Sequence, residues 1–338
     1  MVNAVDRFQR RHPVIGFPLA VVYKFFDDQG NYLAAIVTYY AFIAIFPLLL
    51  IASSVLGFFV QGNDDLRDRL LDSALGQFPI IGEQLQSPAG VTGSTSAIIV
   101  GVIAALYGSL GLGQASQNVM YVAWSVPRNS RPNPLALRLR SFLLLVTAGI
   151  AVVLVTLLTT LVSNVEVVGL EFAQELHWLL TLATIVITTL AFGLLYYFGR
   201  VTRGSWRSAL PGALAVAVMW QGLQYAGTAY VDRVINRAES VNGTFALVLG
   251  LMGLIYIAAM MATLGVEINV VISKRLFPRA LLTPFTDNVE LTAADQRAYR
   301  DYAKAQRHKG FQTVQVLFEK DKPETPPPDE TSDKARKE

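Results

Sequence analysis

The chain has 338 residues, of which 53% are hydrophobic and only 16% charged, where an ordinary soluble domain carries about 25% charged residues. That deficit indicates a membrane protein, and a formal charge of +3 is too small to suggest a nucleic-acid partner. No cysteine is present, which excludes disulfides, thiolate metal sites and cysteine nucleophiles, and His12, His177 and His308 are too scattered for an imidazole metal centre. No cofactor and no metal are expected.

Residues 1–31 begin with Arg7, Arg10 and Arg11 ahead of an apolar stretch, Val14–Phe26. Pro13, Pro18 and Lys24 interrupt it, and it ends in Asp27-Asp28 without a small-residue cleavage site, so it reads as an interfacial helix and not as a signal peptide. Phe17, Val21, Phe25 and Phe26 are expected toward lipid, with Lys24 snorkelling to the headgroups.

About twenty apolar residues are needed to cross the bilayer core. Six stretches within 32–273 qualify: Leu33–Val60, Ala97–Gly113, Phe142–Val162, Trp178–Phe198, Ala209–Tyr230 and Phe245–Ile272. The second is short, and its helix is expected to run on as an amphipathic segment through Gln114–Trp124. The loops alternate in charge. Arg128, Arg131, Arg138 and Arg140 occupy the second, and Arg200, Arg203 and Arg207 the fourth; Lys274, Arg275 and Arg279 follow the sixth span. The intervening loops are acidic or balanced, so both termini are expected in the cytoplasm. Leu66, Leu70, Leu71 and Leu75 predict an amphipathic helix within the first outer loop, Gln61–Thr95.

Beyond the spans, 274–318 reads as a cytoplasmic segment. Thr292 and Asp295 form an N-cap pattern opening a charged helix over Ala293–His308, and Phe311–Phe318 alternates like a short strand. Residues 319–338 are rich in proline and charge and are expected to be disordered. The fold expected is therefore an all-α membrane protein of six transmembrane helices, N-in and C-in, with an interfacial N-terminal helix.

Polar groups inside the spans mark candidate functional positions. Pro47 predicts a kink near Ile43, one turn beyond Tyr40. Gln114, Gln117 and Asn118 fall on one face after Gly108, Gly111 and Gly113. Gln221 and Gln224, three apart, are expected to point into the bundle. Glu267 is the sharpest anomaly, because an ionised acid in a span costs ~2.5 kcal/mol or more unless paired, protonated or wetted. With Asn269 it lies near the inner end of the last span, and Lys24 and Arg140 are its candidate cationic partners. Two roles stay open for it: a lock between helices, or a relay on a substrate or proton path.

Taken in order, these landmarks resemble a known family. Ala34-Ala35, Tyr39-Tyr40 and Pro47 lie in the first span, and Gln117-Asn118 with Tyr121 at the end of the second. Asn242-Gly243-Thr244, Leu254-Ile255-Tyr256 and Gly265-Val266-Glu267-Ile268-Asn269 follow at the spacing of the Tyr-Gly-Ser, Trp-x-Tyr and Gly-Ala-Glu-Leu-Asn blocks of the YihY/BrkB family. The chain resembles these bacterial inner-membrane proteins, once described as ribonuclease BN, over roughly Tyr32–Ser273. The first tyrosine and the tryptophan of the family blocks are replaced here by Asn242 and Leu254.

The resemblance, which extends to a YhjD-like subgroup associated with export of lipopolysaccharide lipid, implies an envelope protein that handles lipid or transports a solute. Pro47, Gly243 and Gly265 would be its structural positions. Ribonuclease chemistry does not fit, since the inner loops hold neither clustered acids nor an acid–base pair, and no catalytic residue is expected. The expectation is a transporter- or flippase-like protein in contact with membrane lipids, moving a lipid-linked or small amphipathic solute along the polar stripes. Its alternative is a non-transporting scaffold for the envelope.

Overall fold

With no water to bond in hydrocarbon, a long apolar run must satisfy its backbone internally, and a helix does this within one segment. A computed structural model describes residues 2–59, 95–133, 135–143, 146–147, 149–150, 173–199, 205–230, 240–281 and 289–318. The described residues form helices, turns and irregular segments, with no strand among them. The helices are α1 (Val2–Arg11), α2 (Pro13–Asp27), α3 (Gly30–Phe59), α4 (Thr95–Ala123), α5 (Ala173–Gly199), α6 (Leu210–Tyr230), α7 (Ser240–Lys274) and α8 (Ala293–Ala305). Residues 135–143 are helical too.

Local chemistry explains several boundaries. Pro13 opens α2, and its ring pushes His12 to an extended φ of −115° and ψ of 95°, separating α1 from α2. Thr292 caps α8 through the expected reciprocal box with Asp295, although the helix closes at Ala305 and not at His308. The α4 helix runs unbroken to Ala123, so the marginal second run and its amphipathic continuation are one element. The α7 helix begins at Ser240, which places Asn242-Gly243-Thr244 within it and not ahead of it. The side chains of Pro47 and Gly243, the outer-loop leucines, most of the third run and the tail from Glu319 lie outside the described residues.

Thr181–Gly199 within α5 (19 residues) and Val248–Lys274 within α7 (27 residues) are long and apolar enough to cross a membrane. Leu182, Val186, Leu190 and Leu194 recur every four residues along α5 and are all exposed, as are Leu214 and Val218 on α6. Apolar outward stripes of this kind suit lipid and not water. The helices α3 and α4 pack lengthwise, with Gly108 against Ile43 and Gly111 beneath the Tyr40 ring, where a Cβ would collide. In the same way α7 is flanked by α2, α3, α4 and α6.

Two expectations are corrected. Residues 311–318 make no strand, because an extended segment needs a neighbouring edge for its backbone bonds, and Phe311 and Leu317 project into solvent. The α2 helix also rotates differently from the lipid-facing reading. Val21, Phe25 and Lys24 are buried, and Phe17 packs on the core. Only Phe26 of that set is exposed, joined by Val14, Ile15 and Val22. Lys24 turns inward because two carboxylates await it there.

Candidate functional site

At the end of the bundle that carries α2 and α8, the Lys24 ammonium joins elements far apart in sequence. It pairs with Glu267 Oε2 of α7 at 3.5 Å and with Asp28, one turn along its own helix. It also donates to the Ala123 carbonyl at 3.0 Å, one of the unpaired carbonyls that end α4 and carry its negative dipole end. The Tyr302 ring of α8 lies 5.2 Å from Nζ, within cation–π range. Exposure is 1% for Lys24, 0% for Glu267 and 6% for Asp28.

Neither Glu267 oxygen has a hydrogen-bond partner. Two carboxylates thus share one ammonium, and in ionised form the three groups sum to −1. Burial pulls the Lys24 pKa down, yet the Glu267 and Asp28 charges outweigh it and leave the group above its usual range. For Asp28 burial wins, and its pKa is raised in spite of Lys24.

A second buried ion cluster adjoins the first. Arg279 contacts Asp295 and, at 3.1 Å, Asp27, and the Tyr302 hydroxyl donates to Asp27 at 3.3 Å. Burial opposes the Arg279 charge, but Asp295 and Asp27 hold its pKa above the usual range. Gln9 donates to the Arg279 carbonyl at 2.6 Å, and Asp6 accepts from the Leu281 amide at 2.8 Å. The amino-terminal helices and the segment after α7 are therefore clasped together at one end of the bundle.

Of the two partners expected for Glu267, the structure selects Lys24. Arg140 instead lies near Tyr121, on which its charge acts. Gln117 is buried but serves another network, donating to Ser141 Oγ at 2.8 Å and accepting from the Tyr121 hydroxyl at 3.0 Å. Gln114 is exposed, while Asn118, Gln221, Gln224 and Tyr40 are half-buried. The expected polar stripe does not converge on Glu267. Asp27, Asp28, Arg279, Asp295 and Tyr302 were not expected at a charged centre; the sequence marked Asp295 only as part of a helix cap and Arg279 only as part of the basic flank. Only Lys24 and Asp28, four apart on a helix face, carried a readable signal.

Asn269 has a different task. Its Oδ1 accepts from the Gly212 amide at 2.8 Å, and its Nδ2 donates to the Ala209 carbonyl at 3.1 Å. It caps the start of α6 from the neighbouring helix, satisfying an amide that has no partner within α6. Gly265 and Gly212 make this approach possible, since a Cβ on Gly212 would enter the Gly265 carbonyl. Asn269→Ala would strand the Gly212 amide in a buried site, while the Ala209 carbonyl keeps the Ala213 amide as a donor at 3.3 Å, and a stability loss of about 1–3 kcal/mol is expected in detergent unfolding. An unchanged unfolding midpoint would show that the cap is dispensable.

One helical turn (about 5.4 Å) from the charged centre, a cavity of ≈ 170 Å³ opens among α3, α4, α5 and α7. Thr263 and Val119 line it, each four residues before a member of the centre, Glu267 and Ala123 respectively. Its hydroxyls are already committed: Thr263 to Ala259, Ser116 to Leu112 and Tyr196 to Ala262. What remains for a guest is hydrocarbon surface. Walls of this kind accept apolar molecules.

Similarity to known proteins covers this region. A family model described as Virulence factor BrkB matches residues 21–287, which include Lys24, Asp28, Glu267, Asn269 and Arg279. An uncharacterized protein of Dickeya dadantii is 25% identical over 268 residues, 74% of this chain and 81% of that one. The UPF0761 membrane protein of Nitrosospira multiformis is 24% identical over 272 residues, 78% and 62% of the two chains. The inner membrane protein YhjD of Escherichia coli K12 is 23% identical over 267 residues, 74% and 79% respectively. No solved structure matches. The matched region takes in both the charged centre and the bundle around it, and the chain belongs to the BrkB/YihY family of membrane proteins.

Proposed function

We propose that the protein is a transporter- or flippase-like protein of the bacterial inner membrane that moves a lipid-linked or small amphipathic solute. The observation that carries this reading is the apolar cavity stacked one turn from the Lys24–Asp28–Glu267 centre. The apolar part of the solute occupies the cavity, and a proton exchanged at the two carboxylates balances the charge of the centre. This replaces the polar-stripe route with an apolar one. Gln117, Asn118, Gln114, Gln221 and Gln224 then hold helices together or face the membrane surface.

In the same reading the domain of 32–273 has six spans, with the segments 1–31 and 274–318 on the cytoplasmic side. The clasp between α1–α2 and the residues after α7 supports an even number of crossings, since both flanking segments meet at one end. The arginine-rich even loops support the inward orientation. Because the chain has no native cysteine, single cysteines placed in each loop report sidedness directly.

Function is tested by reconstitution into liposomes with a panel of lipids and solutes, read as fluorescent-lipid movement and solute flux. Ala259→Leu, which fills the cavity from α7, is expected to reduce flux at least tenfold, with a moderate cost of roughly 1–3 kcal/mol for overpacking. Absence of flux across the panel for the native chain would reject transport in favour of the scaffold reading. Full flux in the filled variant would reject the cavity as the route.

A further inference from the structure

The arginines of the second loop have an explanation in orientation alone, but the structure brings two of them, Arg131 and Arg140, to one buried tyrosine, Tyr121. Arg131 lies over the Tyr121 ring, its Cζ 5.4 Å from the centroid. The charge of Arg140 acts on the same side chain, and Tyr121 is held in turn by Gln117. Burial lowers the Arg131 pKa, and the charge of Arg128 lowers it further. Among the described residues no carboxylate pairs with Arg128, Arg131 or Arg140. The Nη1 atom of Arg140 is buried without a hydrogen-bond partner. A buried charged donor left unpaired is costly, and like charges brought together raise that cost. An anion with several acceptor oxygens relieves both.

We propose that Arg131 and Arg140, beside the Tyr121 ring, form a binding site for a phosphate group, carried by an anionic lipid headgroup or free in solution. The fork of a guanidinium matches two phosphate oxygens, and Arg140 Nη1 is a donor without a hydrogen-bond partner of its own. The site is separate from the apolar cavity and stands on observations of its own. It adds a headgroup-recognition function to the charged end of the bundle.

The test uses the purified full chain in detergent, titrated with phosphatidylglycerol, with phosphate-free diacylglycerol and with inorganic phosphate, and scored as bound ligand by native mass spectrometry. Arg131→Gln and Arg140→Gln are each expected to weaken phosphatidylglycerol binding about tenfold. Arg138→Gln, on the exposed side of the same helical stretch, should leave it unchanged. Arg131→Lys and Arg140→Lys keep the charge that sets orientation, yet should still weaken binding, because lysine cannot make the forked contact. Displacement of the lipid by millimolar phosphate identifies a free-phosphate site, and its failure to displace identifies the headgroup. Equal binding of diacylglycerol, an equal loss in Arg138→Gln, or undiminished binding in the Arg131 and Arg140 variants would overturn the proposal. The readout is binding and not flux, so the result is independent of whether the protein transports.

Discussion

Lys24→Met is expected to lower stability by about 3–5 kcal/mol, the cost of removing one partner from a buried ion cluster. Methionine matches the lysine stem as far as Cε, so most of the packing is retained while the ammonium is lost. Asp28 and Glu267 would then face each other with no cation, at 6% and 0% exposure. The Ala123 carbonyl would lose its donor as well. The measurement is the unfolding midpoint in detergent, with helicity recorded beforehand to confirm that the variant folds. Adding Glu267→Gln to Lys24→Met removes one of the stranded charges and should recover part of the loss. If the single variant unfolds with the native protein, the cluster does not hold the bundle.

The same cluster sets the direction of pH dependence. Lys24 has a raised pKa, so its contribution is fully present below 10.5 and is lost as pH rises through the folded value. Asp28 is raised above 3.8, so the folded state binds its proton more tightly than the unfolded chain. Its deprotonation on raising the pH therefore also weakens the fold. Both signs agree: the midpoint should fall on alkalinisation. In Lys24→Met the loss that sets in above 10.5 should disappear.

On the proposed transport reading, Glu267→Gln is expected to abolish flux while leaving the protein folded. The amide is close in shape to the acid and leaves Lys24 paired with Asp28 alone, a neutral couple in place of a centre of net charge −1. Stability should hold or rise, since one buried charge is removed without stranding another. What the amide cannot do is exchange a proton. Proton-coupled flux in reconstituted liposomes, compared with thermal unfolding of the same preparation, separates the two roles of this residue. Normal flux would reject the relay, and loss of the folded protein would mark Glu267 as a lock.

How far the sequence carried each residue depended on what its role required. The Thr292–Asp295 cap was legible because a capping box is satisfied within four residues. Glu267 was legible as an anomaly because desolvation acts on any acid in an apolar run, whatever surrounds it. The orientation of Lys24 was not, since snorkelling and inward pairing look alike along α2 until α7 is placed beside it. Asn269 invited a role on a transport path, and its capping of α6 shows only when Gly212 and Gly265 bring the two helices together. The glutamines on α4 promised a polar route, but a shared helix face says nothing about which neighbour that face meets.

By itself, then, the amino-acid order determined an all-helical membrane protein with an intramembrane acid near the basic end of its last helix. These features follow from composition, local periodicity and the cost of burying charge, all of which act along a single segment. Tertiary structure alone decided that Lys24 meets Glu267 and Asp28, that Arg279 ties α8 to α2, and that the adjacent cavity is apolar. Each of these depends on which helix faces adjoin across long stretches of chain. The packing of small residues and the mutual satisfaction of buried charges choose among those faces only when the whole bundle is assembled.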